Sequence, residues 1–249
     1  MGISAGIDIG SSAIKLSILV DGTPSHSEDV PSTFNPLNQA RKILESVELR
    51  VPLVATGYGR DFVESIRPVR TISEIKAHAL GARLLYPSCR SVIDIGGQDV
   101  KMISLDPSGK IVKFELNDRC SAGTGKFVEI MAAKLGYSLV DFGKDALIGE
   151  PVVELSSQCT VFAESEVIGL LNRGYPRSGI SRAIHWCVIN RISAMFNRIE
   201  AIGPTVITGG CSKNPAVVQF LKQTLNTEIV NPAYSYFAGS IGCAISARL

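Results

Sequence analysis

The sequence contains no long apolar run and no cluster of basic residues. Its apolar stretches are shorter than the roughly 20 residues that a membrane helix needs. Asp8 interrupts the first of them, so we expect neither a transmembrane helix nor a signal peptide. Lysine and arginine are scattered and the net charge is only +2, which argues against a nucleic acid partner. We therefore expect a globular protein of the cytoplasm that binds neither membranes nor nucleic acids.

The chain also lacks a CxxC motif. Its six cysteines are well separated, so a zinc ribbon and a ferredoxin-type ligand run are excluded. In a reducing compartment we expect the cysteines to be free thiols, or to act singly or in pairs as metal ligands. Cys187 and Cys243 lie in apolar helical patterns, so core packing is predicted for both. The same prediction applies to His185, and to Cys89 near a junction between lobes.

What the chain does contain is an internal repeat. The segment 7–19, IDIGSSAIKLSIL, aligns with the segment 93–105, IDIGGQDVKMISL. The alignment pairs Asp8 with Asp94, Gly10 with Gly96 and Lys15 with Lys101. Each copy is typical of a short strand that ends in Asp-Ile-Gly, a tight turn and a second strand, after which a turn signal leads to a third strand.

Helical spacing follows each group of three strands. With 249 residues and 45% hydrophobic content, the chain can bury a substantial core. The pattern predicts a duplicated α/β fold, in which two mixed sheets flanked by helices form two lobes with a nucleotide cleft between them. The predicted helices cover 35–49 and 124–135 and begin again near Lys213 and Ser235, with strands at 52–56, 205–208 and 227–230.

The repeat also predicts where one lobe ends and the next begins. We expect the first lobe to span residues 1–87, with a C-terminal helix at 234–249 packing back onto it. The second lobe is expected to span residues 88–233 and to carry Cys120 and Cys159.

The turns after the two repeated strands carry the chemistry. A carboxylate beside a phosphate site repels the anion, so Asp8 and Asp94 indicate a metal ion between acid and phosphate. Glycines let backbone N–H groups approach phosphate oxygens, while serine and lysine add donors and positive charge. One Asp-x-Gly alone would merely end a strand, but the repeated set predicts a nucleotide site. Its other members are Gly10, Ser11, Ser12, Lys15, Gly96 and Gly97, with Gly209 and Gly210 in a later small-residue turn.

The stretch 117–131, NDRCSAGTGKFVEIM, looks like a phosphate loop but is not a Walker A motif. Walker A needs a hydroxyl residue after Gly-Lys and a glycine at its first position. Here Phe127 follows Gly125 and Lys126, and Cys120 takes the place of the first glycine. The thiol therefore needs an explanation of its own.

These motifs resemble those of the acetate and sugar kinase, Hsp70 and actin superfamily, whose members close two related RNase H-like lobes over ATP. GIDIGSSAIK is similar to its first phosphate motif, DIGGQDVKMI to its second, and TGG at 208–210 to its adenosine motif. One branch fits better than the others, because NDRCSAGTGKF, QCTVFAESEV, ATGYGR and TGGCSKN resemble the ATP-dependent activators of 2-hydroxyacyl-CoA dehydratases. That family includes benzoyl-CoA reductase ATPase subunits and reductases of double-cubane-cluster proteins. The similarity runs from about residue 5 to 247, with a departure at Cys211, where activators usually carry an aliphatic residue.

The resemblance implies an oxygen-sensitive, ATP-driven reductase. In such a protein a homodimer holds one [4Fe-4S] cluster and passes an electron from a ferredoxin- or flavodoxin-type donor to a partner iron–sulfur protein. Cys120 and Cys159 each precede a predicted helix, whose N-terminus favours the thiolate that binds metal. A [4Fe-4S] cluster commonly takes four thiolates, so two from each subunit of a two-fold dimer meet the count. Core packing, a redox-sensing thiol and a disulfide remain alternatives for this pair.

The resemblance also implies roles at the nucleotide site. Asp8 and Asp94 would organise Mg²⁺, and Glu74 or Gln98 would position the attacking water. His78, four residues after Glu74, belongs either to a surface pair or to the site. The serines and Lys15 would neutralise developing phosphate charge, while Gly123 and Gly125 would approach the nucleotide.

Two other functions are compatible with the nucleotide motifs. A kinase of the same superfamily would phosphorylate a small acid or sugar and would have no use for paired cysteines. A chaperone-like ATPase would be colourless, stable in air and indifferent to the loss of Cys120.

Overall fold

A computed structural model describes residues 2–121, 123–151, 154–155 and 160–249 of the chain. It contains two five-stranded mixed sheets with helices packed around them, so the predicted α/β fold is confirmed. Among the described residues, none of the helices combines the length and the apolar character needed to cross a membrane.

The first sheet is an antiparallel meander extended by two parallel strands. Its strands are β1 (Ile3–Ile9), β2 (Ala13–Val20), β3 (Thr23–Pro31), β4 (Leu53–Gly57) and β5 (Arg70–Thr71), in the order β3-β2-β1-β4-β5. The turn between β2 and β3 places Asp21 and Gly22 at φ angles of 51° and 86°. Two consecutive positive φ angles are what a tight hairpin turn requires, so the predicted Asp-Gly turn is confirmed.

The second sheet repeats the first strand for strand. Its strands are β6 (Ser91–Ile95), β7 (Val100–Leu105), β8 (Ile111–Asn117), β9 (Thr205–Thr208) and β10 (Ile229–Val230), in the order β10-β9-β6-β7-β8. In both sheets the first two strands pair antiparallel, so that Asp8 lies opposite Lys15 and Asp94 opposite Lys101. The duplication predicted from the sequence is therefore confirmed at the level of register.

Eight helices are described. They are α1 (Pro36–Leu44), α2 (Glu74–Leu85), α3 (Gly125–Lys134), α4 (Leu139–Ile148), α5 (Thr160–Asn172), α6 (Arg177–Arg198), α7 (Pro215–Thr224) and α8 (Ala238–Ser246). Short 3-10 helices at Arg60–Ser65, Gly210–Lys213 and Ser235–Phe237 accompany them. Side-chain caps fix several starts: Ser73 accepts from the Lys76 amide at α2, and Ser138 accepts from the Asp141 amide at α4.

Some helix boundaries differ from those predicted. Helix α1 ends at Leu44 rather than at residue 49, because the Ser46 hydroxyl donates to the Ile43 carbonyl and competes with the helical ladder. Helices α7 and α8 begin two to three residues later than predicted, each after a 3-10 turn. Helix α4 was not predicted.

Helix α8 packs on β1 although the two are far apart in sequence. Gly6 of β1 has no Cβ, and one added there would collide with the backbone of Ser240 and Ala244. The Ser17 hydroxyl on β2 hydrogen-bonds the Ser240 hydroxyl at 2.8 Å. The division of the chain at residues 87 and 88 stays a prediction.

Helices α2 and α8 cross at a close contact that is lined by glycines. A Cβ at Gly81 of α2 would collide with the Ala238 carbonyl, and one at Gly242 of α8 would collide with the Ala77 carbonyl. The two helix backbones are thus in direct contact, and α2 also lies against β6 and β7 of the second sheet. These helices join the two sheets beside the cavity described next.

Candidate active site

A cavity of about 350 Å³ opens between the two sheets. The ends of β1 and β6 point into it, together with the turn after β9 and the first residues of α2 and α3. Twelve of the residues predicted from the sequence line this cavity: Asp8, Gly10, Ser11, Ser12, Lys15, Glu74, Asp94, Gly96, Gly97, Gly125, Gly209 and Gly210.

Four predicted residues are not among those lining the central cavity. Gln98 is exposed to solvent, and Gly123 lines a second cavity of about 450 Å³ between β8 and α6. Cys120 is half-buried on the segment that joins β8 to α3. Cys159 lies outside the described residues.

The two acidic turns close in the same way and touch each other. The Gly10 amide donates to the Ala13 carbonyl at 3.1 Å, and the Gly96 amide donates to the Asp99 carbonyl at 2.9 Å. Gly97 of the second turn lies against the first turn so closely that an added Cβ would collide with the Ser12 hydroxyl. A phosphate chain between the sheets would therefore meet backbone and hydroxyl donors from both turns.

A buried ammonium group stands at the centre of the second turn. Lys101 Nζ lies 2.5 Å from Glu74 Oε2, 2.8 Å from Asp99 Oδ2 and 3.3 Å from Asp94 Oδ2. Burial lowers the pKa of Lys101, but the three carboxylates outweigh burial and raise that pKa above its ordinary value. Burial raises the pKa of Glu74, against the opposing effect of Lys101. The four groups form one compact ion network at the foot of α2.

His78 of α2 links the network to the turn after β9. Its Nδ1 lies 2.9 Å from the Thr208 hydroxyl and 3.3 Å from Asp94 Oδ1. The Thr208 hydroxyl donates to the same Asp94 oxygen at 3.1 Å. Burial raises the pKa of Asp94, but His78 and Lys101 outweigh it, so this pKa lies below its usual value. His78 is buried and lines the cavity, so the alternative of a surface pair with Glu74 is excluded.

The first turn has a simpler charge arrangement. Lys15 Nζ lies 3.8 Å from Asp8 Oδ2, and both side chains are largely buried. The same ammonium lies 4.4 Å from the centre of the Tyr236 ring, and Lys213 Nζ lies 3.2 Å from it. The Tyr236 hydroxyl donates to Asp29 at 2.9 Å, which fixes the ring. The Tyr236 ring therefore holds the ammonium groups of Lys15 and Lys213 at the cavity by cation–π contacts. Both groups could form ion pairs with a polyphosphate bound there.

The far wall of the cavity is apolar. Val128 of α3, Leu139 and Val140 of α4, and Cys211 line it together. Burial raises the pKa of the Cys211 thiol to about 12, so this cysteine is a small neutral side chain here. Asn214 completes the wall and accepts hydrogen bonds from the Ala216 and Val217 amides, which caps α7.

Helix α3 is tied directly to the second acidic turn. The Gly125 amide donates to the Gly96 carbonyl at 2.9 Å, and the Lys126 amide donates to the Gly97 carbonyl at 2.8 Å. The first two amides of α3 are therefore occupied, whereas the sequence analysis placed the positive end of this helix at the Cys120 thiol. These two amides are therefore not free to interact with the Cys120 thiol.

The segment that carries Cys120 also contacts the start of α5. Ser121 and Thr160 directly follow Cys120 and Cys159 in the sequence, and their hydroxyls lie 2.9 Å apart. The Asn117 side-chain amide donates to the Cys120 carbonyl at 3.1 Å, and the Thr124 hydroxyl donates to the Ser121 carbonyl at 2.6 Å. The fold thus joins the residues next to the two cysteines although 39 positions separate them.

Several cavity residues were not predicted. Lys101 was aligned with Lys15 in the repeat, and that alignment could have identified it. Tyr58 and Asp99 lie in the motifs ATGYGR and DIGGQDVKMI, which could have identified them. Tyr236 had no such signal, because it meets the site through contacts between distant segments. His185, Cys89 and Cys243 are buried, as predicted, and Cys187 is half-buried.

Comparison with known proteins matches the chain over nearly its full length. The model of the BadF/BadG/BcrA/BcrD ATPase family matches residues 5–247. The chain is 36% identical over 250 residues to an "(R)-2-hydroxyglutaryl-CoA dehydratase activating ATPase" of Acidaminococcus fermentans, covering 97% of this chain and 95% of that protein.

Solved structures agree with this similarity. Component A of the Acidaminococcus fermentans (R)-2-hydroxyglutaryl-CoA dehydratase superposes with a TM-score of 0.92, at 35% identity and full coverage of both chains. The activator of the 2-hydroxyisocaproyl-CoA dehydratase from Clostridium difficile, with bound ADPNP, gives 0.91 at 36% identity, covering 98% of this chain and 94% of that one. A ROK family glucokinase from Streptomyces griseus gives 0.64 at 14% identity, over 99% of both chains, which is a likeness of fold alone.

Proposed function

This chain belongs to the BadF/BadG/BcrA/BcrD ATPase family, and from that membership we propose that it is an ATP-dependent one-electron reductase. In this proposal ATP hydrolysis drives the transfer of a low-potential electron through a [4Fe-4S] cluster shared across a homodimer. The acceptor is a partner iron–sulfur enzyme, such as a 2-hydroxyacyl-CoA dehydratase or a double-cubane-cluster protein. Similarity to dehydratase activators over almost the whole chain supports the partner class.

We place the nucleotide in the central cavity. The acidic turns would bind its phosphates through backbone amides and the hydroxyls of Ser11 and Ser12, and Lys15 would neutralise phosphate charge. The turn at Gly209 and Gly210 and the apolar wall would take the adenosine. The ADPNP-bound relative of the same fold supports this placement.

The carboxylates of the cavity fit a divalent cation carried by the nucleotide. Asp8 and Asp94 end equivalent strands and face the same cavity, and hard oxygen donors of this kind are what Mg²⁺ prefers. Bound there, Mg²⁺ would stabilise charge on the transferred phosphoryl group.

Glu74 is better placed than Gln98 to position the attacking water. Its carboxylate lines the cavity and is held by Lys101 at 2.5 Å, whereas Gln98 is exposed. Burial raises the pKa of Glu74, which makes the carboxylate a better proton acceptor. We therefore assign the water to Glu74 in the conversion of ATP and water to ADP and phosphate.

The cysteine-bearing segments suit a cluster on a dimer axis. Cys120 is half-buried on its segment, and the Ser121–Thr160 hydrogen bond brings the neighbours of both cysteines together. Two thiolates from each of two subunits supply the four that a [4Fe-4S] centre takes. Bound there, the cluster would supply a one-electron redox couple.

One observation carries the proposal: the amides at the start of α3 donate to the carbonyls of Gly96 and Gly97. Any shift of the second turn on phosphate binding would move these carbonyls and α3 together. The segment from Cys120 to Thr124 is continuous with that helix, and Ser121 passes the displacement on to Thr160. A change of the bound nucleotide would therefore displace both cysteine-bearing segments. An ATP-driven reductase needs this coupling between the nucleotide site and the cluster.

The cluster is tested by anaerobic purification followed by iron and sulfide analysis and gel filtration. We expect a brown dimer with about four iron and four sulfide per dimer. Cys120→Ser should lose the metal and the visible absorption while keeping ATP binding. Cys89→Ser is the matched control, because this buried thiol donates to the Ser91 carbonyl, which a hydroxyl can replace. Colourless, metal-free wild-type protein would remove the cluster from the proposal.

The ATP step is tested separately with Asp8→Ala. This variant should keep its iron but lose ATP hydrolysis and ATP-dependent electron delivery to an oxidised iron–sulfur acceptor. Asp61→Ala, an exposed carboxylate, is the control. Unchanged hydrolysis in Asp8→Ala would take this residue out of the site. A phosphorylated acid or sugar formed from labelled ATP would instead favour a kinase.

A further inference from the structure

Tyr58 contacts the opposite side of the cleft. It follows β4 of the first sheet, and its hydroxyl donates to Asp99 Oδ2 at 3.1 Å in the turn between β6 and β7 of the second sheet. The loop that carries Tyr58 is anchored, since the Gly59 amide donates to the Ile9 carbonyl at 3.1 Å. The side chain is 55% exposed overall and lines the mouth of the central cavity.

The repeat contains no second copy of this contact at the equivalent positions. In the register of the two sheets Thr56 and Thr208 are equivalent, so Gly210 is the counterpart of Tyr58. In the aligned turns Ala13 is the counterpart of Asp99. Neither counterpart has a polar side chain, so the repeat alone does not account for the pair. Tyr58 and Asp99 both differ from their counterparts in the repeat, and the two side chains are hydrogen-bonded.

Asp99 is also fixed from its own side. The same oxygen that accepts from Tyr58 lies 2.8 Å from Lys101 Nζ, and Asp99 is 5% exposed. A hydrogen bond to an ionised carboxylate is stronger than one between neutral groups. Burial and Asp99 raise the pKa of Tyr58 to about 12, so the hydroxyl keeps its proton across the neutral range.

We propose that Tyr58 is a positioning residue that latches the cleft over the bound nucleotide through its hydrogen bond to Asp99. The bond joins the two sheets at the cavity mouth, on the second acidic turn, which also receives the amides of α3. It exists only while the lobes are closed, so its effect is to lengthen nucleotide residence. This inference rests on the proposed nucleotide site.

The test uses the full-length, anaerobically purified protein and a fluorescent ATP analogue with Mg²⁺. Tyr58→Phe removes only the hydroxyl. We expect nucleotide dissociation to become about tenfold faster in stopped flow, with KM for ATP raised by about the same factor and kcat within about twofold. Tyr86→Phe is the matched control, because the Tyr86 hydroxyl bonds Glu228 at 3.2 Å on the surface, away from the cleft. It should leave dissociation and KM unchanged.

A second variant tests whether the faster nucleotide dissociation results from loss of the Tyr58–Asp99 hydrogen bond. In an Asp99→Ala background the acceptor of the Tyr58 hydroxyl is gone, so Tyr58→Phe should change the dissociation rate by no more than about twofold. An undiminished effect in that background, or a Tyr58→Phe variant that shifts only the unfolding midpoint, would overturn the latch. Lys15→Ala is included to separate the two proposals. If it weakens binding while Tyr58→Phe does not, the latch fails alone; if neither weakens binding, the nucleotide site fails.

Discussion

At the residue scale, the wall of the cavity depends on buried polar groups that find their hydrogen-bond partners inside the fold. His185 of α6 is buried and 3.0 Å from the Asn214 side-chain amide, and its Nδ1 lies 2.7 Å from the Ser181 carbonyl. A neutral ring that donates to Ser181 and accepts from Asn214 satisfies both contacts. Asn214 in turn caps α7 and faces the cavity. Burial lowers the pKa of His185 to about 4, which keeps the ring in this state.

We predict that His185 makes the protein sensitive to mild acid. Its pKa is about 4 in the folded protein and 6.5 in the unfolded chain, so only the unfolded chain takes up the proton between these values. Stability is therefore lost as the pH falls from about 6.5 to 4, by about 3 kcal/mol over the full range. Urea unfolding at several pH values measures this loss against His185→Gln, which has no such titration. Parallel pH profiles of the two proteins would contradict the assignment.

At the scale of elements, the two acidic turns and the start of α3 form the working unit. The Asp-x-Gly turns could be predicted because their chemistry is local, set by glycines and a carboxylate within a few residues. The hydrogen bonds from α3 to Gly96 and Gly97 could not, because backbone carbonyls leave no trace in the sequence. The expectation that the start of α3 favours a thiolate at Cys120 took no account of these carbonyl acceptors from another segment.

We predict that Gly97→Ala will keep the turns apart and impair nucleotide binding. The added methyl would collide with the Ser12 hydroxyl and lie 2.9 Å from Ser11 Oγ, so both phosphate turns must shift. ATP affinity, measured by calorimetry, should fall at least tenfold, which corresponds to about 1.4 kcal/mol. Gly169→Ala is the control, because nothing lies within 4 Å of a Cβ there. Equal affinities in both variants would show that the turns need not touch.

At the scale of the whole molecule, two sheets of identical strand order share one cavity and are joined by α2 and α8. The duplication could be predicted because an aligned repeat fixes strand order and register together. The contacts across the cavity could not be predicted. Tyr58 and Asp99 stand 41 positions apart, and His78 and Thr208 stand 130 apart. Each contact depends on how the copies face each other, which the repeat does not specify.

We predict that MgATP will stabilise the molecule as one unit. A ligand that touches both sheets must be released before either unfolds, so a saturating nucleotide raises the stability of both. At a free concentration 100 times Kd the gain is about 2.7 kcal/mol. Unfolding followed by Trp186 fluorescence, a probe in the second sheet's core, and by far-UV circular dichroism should shift together. A shift in one signal alone would place the nucleotide on a single lobe.

The packing of α8 on β1 has a consequence for how the protein is made. Strand β1 leaves the ribosome before its covering helix, which is synthesised about 230 residues later. At 5–20 residues per second this interval lasts roughly ten to fifty seconds. One face of the N-terminal sheet therefore stays uncovered during translation, and a nascent chain halted before Ala238 is expected to remain a client of chaperones.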